Sequence, residues 1–117
     1  MSAARAAAAP ELTPIGFEVL LSLTAGPQHG YGIKLDVEAR TGGEISLGSG
    51  TLYQAIHRLE REGFVAGSAT RDRSDARRGR TYQILPAGRA AVREHLRRLN
   101  RVVEYARARR LLPASKP

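Results

Sequence analysis

The chain has no cysteine and no tryptophan among its 117 residues, and Lys34 and Lys116 are its only lysines. Without cysteine there is no disulfide framework and no thiolate metal site. Aromatic side chains are few, four tyrosines and two phenylalanines, too sparse for the stacking platform on which single-stranded nucleic acid is bound. No apolar stretch approaches the length of a transmembrane helix. The first ten residues, MSAARAAAAP, lack the longer apolar segment of a secretory signal, so a cytoplasmic protein without membrane attachment is expected. His29, His57 and His95 are too scattered for a metal site. No Ser/His/Asp or Cys/His set converges under any reasonable placement. Neither an enzyme, a metal nor a cofactor is expected.

What is present is positive charge. Nineteen cations stand against eleven carboxylates, a formal net charge of +8, and nearly all the cations are arginine. A GC-rich coding bias accounts for Arg over Lys but not for the net excess of base. That excess suits a polyanion, because each phosphate contact releases condensed counterions. The length fits one domain with a modest core, a size at which pairing often adds stability.

Residues 1–11 read as a flexible tail. Thr13-Pro14 is a helix start, a capping hydroxyl followed by proline at the first helical position. Ile15, Val19, Leu20 and Leu23 then give a core-facing helix to about Ala25, stopped by Gly26-Pro27. A second helix is expected over Tyr31–Arg40, with Ile33 and Val37 one turn apart and Thr41-Gly42-Gly43 closing it. Glu44–Leu47 alternates polar and apolar, the pattern of a minimal strand. Ser49 is the expected N-cap of a third helix that Gly63 ends. Phe64–Thr70 and Arg80–Leu85 read as two strands around a polar tip, and Pro86 opens a last helix running to about Arg110. Three compact helices followed by a β-hairpin define a mainly α (α+β) fold, a winged helix-turn-helix with a C-terminal dimerisation helix. The expected divisions are 1–11 tail, 12–85 winged helix-turn-helix, 86–112 dimerisation helix and 113–117 tail.

The run GSGTLYQAIHRLEREG, Gly48–Gly63, is the most informative segment. Leu52, Ile56 and Leu59 recur at helical spacing toward a core, while Tyr53, Gln54, His57, Arg58 and Arg61 point the other way. Hydrogen-bonding groups and positive charge on one helix face, with a cationic hairpin behind it, suit a DNA major groove and its flanking backbone. Ser49, Thr51 and Tyr53 are expected on phosphates or bases, and Gln54, His57 and Arg58 in the groove. For Ser49 a plain N-cap is a compatible alternative, and Tyr53 could be a half-buried packing residue. Arg61 divides between DNA and a solvated or ion-paired role. Tyr31 could reach a phosphate, with packing against the first helix favoured. Arg71, Arg73, Arg77, Arg78 and Arg80 lie in the hairpin and are expected on the backbone or the adjacent minor groove. His95 reads as an ordinary polar-face residue. In the last helix Val92, Leu96, Leu99, Val103 and Ala106 are spaced four, three, four, three, a seam of about two heptads that suits a homodimer interface.

The segments LTPIGFEVLLSL, GPQHGYGI, RTGG, GSGTLYQAIHRLEREG and GRTYQILPAGR, in that order, make the chain from Leu12 to Arg89 resemble the PadR family of bacterial transcriptional regulators. Gln54 stands where the family usually has proline after G-T-L-Y, and Pro86 where it often has threonine. A glutamine can make a bidentate hydrogen bond to adenine, so a relative's operator is not carried over. The resemblance implies a dimer that represses transcription from double-stranded DNA, in many members relieved by a small-molecule effector. The short segment after Pro86 resembles the subgroup with a single C-terminal helix. The competing expectation is a basic RNA-binding or architectural nucleic-acid-binding protein, supported by the charge alone. A winged helix used for protein contacts is the third, disfavoured because the outer face keeps its charge.

Overall fold

The computed structural model describes residues 12–68 and 79–114. Helix α1 spans Pro14–Leu23, and Thr13 caps it as expected, its Oγ1 accepting from the Gly16 amide at 2.9 Å. A two-residue strand β1, Gln28–His29, leads straight into α2, Gly30–Arg40. Gly42 and Gly43 end α2 with φ of 62° and 84°. Helix α3 spans Ser49–Arg61, strands β2 and β3 span Val65–Gly67 and Thr81–Ile84, and α4 runs Pro86–Ala108 with Pro86 in its first turn. The polar hairpin tip, with Arg71, Arg73, Arg77 and Arg78, lies outside the described residues.

The sheet has the order β1-β3-β2 and is antiparallel throughout, with Gln28 opposite Tyr82 and Val65 opposite Ile84. This corrects the placement of the extra strand. Glu44–Leu47 is irregular, and the free edge of β3 is taken by Gln28–His29 instead. Side chains of the α2 end replace a ladder for that loop. Thr41 Oγ1 accepts from the Ile45 amide at 3.1 Å, and Ser46 Oγ donates to Glu38 Oε2 at 2.9 Å. Leu47, only 2% exposed, pins the loop into the core.

The core is built from the positions whose spacing predicted it. Val19, Leu20 and Leu23 of α1, Ile33 and Val37 of α2, and Leu52, Ile56 and Leu59 of α3 are all buried, and Phe64, Tyr82 and Val92 close them from the hairpin and α4. Each such aliphatic side chain contributes about 1.5–3 kcal/mol on burial. Arg40 ties α2 to α1: its guanidinium reaches Glu18 Oε1 at 2.6 Å and donates to Ser22 Oγ at 2.7 Å and to Asp36 at 3.2 Å. No helix of the described residues is long and apolar enough to cross a membrane.

Candidate nucleic-acid interface

Helix α3 presents one face to the core and the other to solvent, as the Gly48–Gly63 pattern requires. Ser49, Thr51, Gln54, His57, Arg58 and Arg61 are exposed. Thr51, Gln54, Arg58 and Arg61 form one side of an open groove, with Thr13, Pro14 and Ile15 from the first turn of α1 on the other. Arg58 has an ion pair to Glu62, the residue that caps the end of α3, at 3.4 Å. Arg61 has no ion-pair partner among the described residues. An exposed pair of this kind costs little to open, so both guanidinium groups are available to a ligand.

The N-terminus of α3 differs from expectation in an instructive way. The cap is Gly48, which has no side chain to accept a bond, and Ser49 is the first helical residue. The Leu52 amide makes the first intrahelical bond, to the Gly48 carbonyl at 3.0 Å. The amides before it therefore keep unspent donors at the positive end of the helix dipole, a ready site for an anion.

Tyr53 is half-buried and packs at the start of α2. Its ring and hydroxyl fill the space above Gly30, where a Cβ would sit 2.5 Å from the hydroxyl oxygen. The ring centroid lies 6.4 Å from that of His57. Tyr31, by contrast, is 59% exposed. This corrects the preference for packing it against α1, since the first turn of α2 turns it outward.

The acidic groups of α1 and α2 are engaged away from this face. Lys34 bonds Glu38 at 2.5 Å, and Arg40 takes Glu18 and Asp36. A hydrogen bond from the Ser22 hydroxyl, then Arg40, holds the Asp36 carboxyl below the usual range. Lys34, then the Ser46 hydroxyl, does the same for Glu38. Arg80 is placed differently from the tip arginines. It sits at the hairpin base, with Nε donating to the Ser68 carbonyl at 2.8 Å.

Helix α4 divides along its length. Val92 is 4% exposed and belongs to its own domain's core, so it is not part of a free seam. His95 is also not a plain polar-face residue: its ring packs on Phe17 of α1 with centroids 4.4 Å apart. Beyond that contact Leu96 and Leu99 are exposed, and Val103 and Ala106 are partly so. Tyr105, close to the seam, is exposed as well, and the heptad reading missed exposed Val102, with Leu111 and Leu112 past the helix end. An apolar count over the whole segment, not only at seam positions, would have found them. Among the described residues no group of His, Cys, Asp and Glu could hold a metal ion.

The family model described as the transcriptional regulator PadR-like family matches residues 19–94. No curated protein matches the sequence. Among solved structures, a transcriptional regulator from Clostridium thermocellum is 21% identical over 80% of this chain and 87% of its own, with a TM-score of 0.68. A PadR family transcription regulator from Clostridium difficile is 19% identical over 82% of this chain and 97% of its own, with the same TM-score of 0.68. Bacillus subtilis PadR, solved in complex with operator DNA, is 20% identical over 72% of this chain and 47% of its own, with a TM-score of 0.63. These likenesses establish the winged-helix fold, and with the family match over most of its length the chain belongs to the PadR-like family of transcriptional regulators.

Proposed function

We propose that this regulator is a homodimeric repressor that reads a pseudo-palindromic operator in double-stranded DNA through the outer face of α3. The observation that carries the reading is the pairing of an N-terminus without a side-chain cap and an exposed polar row, Thr51, Gln54, His57, Arg58 and Arg61, on one helix. Ser49 and Thr51, with the free amides beside them, suit a phosphate. Gln54, His57 and Arg58 suit base edges, and Arg61 and Tyr31 suit the flanking backbone. Tyr53 borders the same end of the helix. Arg71, Arg73, Arg77 and Arg78 lie between β2 and β3 in the sequence, and we assign them to the backbone or the adjacent minor groove.

Exposed Leu96 and Leu99, with Val103 and Ala106, support α4 as the dimer element. A two-fold dimer sets two recognition helices about one DNA turn apart. Relief by a small-molecule effector completes the reading, and its chemistry is to be sought by screening once an operator is in hand.

Selection from a random-sequence duplex pool tests this. The expected product is an inverted repeat with half-site centres about 10 base pairs, or a multiple of one turn, apart, bound by two protomers. A pool that passes through selection with no enriched sequence overturns the proposal.

A further inference from the structure

We infer that Arg80 is a positioning residue: it locks the β2–β3 hairpin to the recognition helix and makes no contact with DNA. The inference rests on the DNA-binding reading above and refines it. Arg80 stands immediately before β3, and its guanidinium meets three elements at once. Nε donates to the Ser68 carbonyl, just beyond β2, at 2.8 Å. Nη2 lies 3.7 Å from Glu60 Oε2, on the last turn of α3. The group also lies 5.7 Å from the Tyr82 ring centroid on β3.

The guanidinium occupies the space beside Gly67, where a Cβ would come within 2.5 Å of Nη2 and 2.8 Å of Cζ. The absence of a side chain at Gly67 is what leaves room for the guanidinium there. The surrounding backbone is tied in the same place, with the Ser68 amide donating to the Thr81 carbonyl at 2.8 Å and the Thr81 amide to Ser68 Oγ at 3.2 Å.

The electrostatics favour the same assignment. A carboxylate near the C-terminus of a helix faces the negative end of the dipole and gains from a cation beside it. Glu60 is that carboxylate, and the neighbouring Glu62 is already taken by Arg58. The Arg80–Glu60 pair alone, partly exposed and 3.7 Å long, is worth little. Combined with a charge-assisted bond to a fixed carbonyl, it sets the angle between hairpin and helix. That angle decides whether helix and hairpin can engage one duplex together, so it acts on sequence-specific binding and not on general attraction to phosphate.

Two sequences serve as probes, a duplex selected by the wild-type protein and a scrambled duplex of the same composition, each titrated over a range of salt. Arg80→Lys keeps the charge but not the planar fork, so it cannot hold Ser68 and Glu60 together. Arg80→Lys and Glu60→Ala are each expected to weaken binding to the selected duplex about tenfold, a loss of about 1.4 kcal/mol. Binding to the scrambled duplex and the salt slope stay as in wild type, and the double variant is no worse than either single one. A purely structural role would lower the unfolding midpoint without moving the ratio between the two duplexes.

If Arg80 instead grips a phosphate, Arg80→Lys retains affinity, Arg80→Ala lowers the salt slope by about 0.9, and Glu60→Ala binds as well as wild type or better. Any of these three results overturns the inference. Failure of the wild-type protein to distinguish the two duplexes overturns the DNA-reading proposal itself, whatever the variants do.

Discussion

Gly30 and Tyr53 are separated in sequence but share one small volume at the junction of α2 and α3. The hydroxyl and ring carbons of Tyr53 occupy the place of a Gly30 Cβ. Gly30→Ala should therefore cost about 1–3 kcal/mol through overpacking, read from the denaturant midpoint. In a Tyr53→Ala background the same alanine should cost almost nothing. Additive losses would mean the two residues do not meet.

The carboxylates of α2 give a second residue-scale expectation. Asp36 and Glu38 are both held below their usual range by their hydrogen-bond partners. In acid the unfolded chain therefore takes up protons at these sites before the folded one does. Their contribution is full above the ordinary carboxylate range and disappears as pH falls through the folded values. Stability should decline below about pH 4, and Asp36→Asn should flatten that decline while lowering stability at neutral pH. An acid limb unchanged in Asp36→Asn would exclude this carboxyl as a contributor.

At the scale of the element, α3 leaves its N-terminus without a side-chain cap although the backbone at Gly48, φ −68° and ψ 157°, would accept a capping residue and nothing lies within 4 Å of its Cβ position. Stability is the weaker claim on that position if the free amides are for an anion. Gly48→Asp should raise helix stability by a few tenths of a kcal/mol, about 0.3. It should also weaken DNA binding at least tenfold, about 1.4 kcal/mol, because its carboxylate occupies the amides and repels phosphate. Gly48→Asp that binds as tightly as wild type would remove the helix end from the interface.

The two faces of α3 were legible in the sequence because Leu52, Ile56 and Leu59 keep helical period against a polar remainder. Thr13-Pro14 and Pro86 were legible because capping and proline chemistry act locally. The strand Gln28–His29 was not, since two residues carry no period and pair only because β3 leaves an edge open. The cap shift from Ser49 to Gly48 escaped for a related reason: a hydroxyl one residue inside the helix looks the same in sequence as one at its cap. The burial of Val92 and the internal engagement of Arg80 depend on which elements pack side by side, and no periodicity encodes that.

The whole molecule separates its charge and its apolar surface. Arg40 and Lys34 engage Glu18, Asp36 and Glu38 on the α1–α2 side, while the outer face of α3 keeps Arg58 and Arg61 exposed. Helix α4 docks its first turns on α1 through Val92 and the His95–Phe17 contact, then carries Leu96, Leu99 and Val102 exposed beyond it. If that stretch pairs two copies, Leu99→Glu should give monomers in sedimentation with little change in the fold. Operator affinity should then drop by at least about a hundredfold, or about 2.7 kcal/mol, as the second half-site is lost. A dimer of unchanged strength in Leu99→Glu would move the interface elsewhere. The net charge of +8 would by itself attract any polyanion, so affinity alone does not separate reading a sequence from holding a phosphate chain.

The measurement that separates them is a titration of the wild-type protein, at two salt concentrations, against DNA from upstream of its own gene, a scrambled duplex and an RNA of equal length. A regulator that reads DNA through α3 should bind one upstream segment at least about a thousandfold tighter than the scrambled duplex, saturating at two protomers, with that preference surviving the higher salt. Equal binding to all three, vanishing together as salt rises, would contradict sequence reading and leave a basic protein that holds nucleic acid by charge.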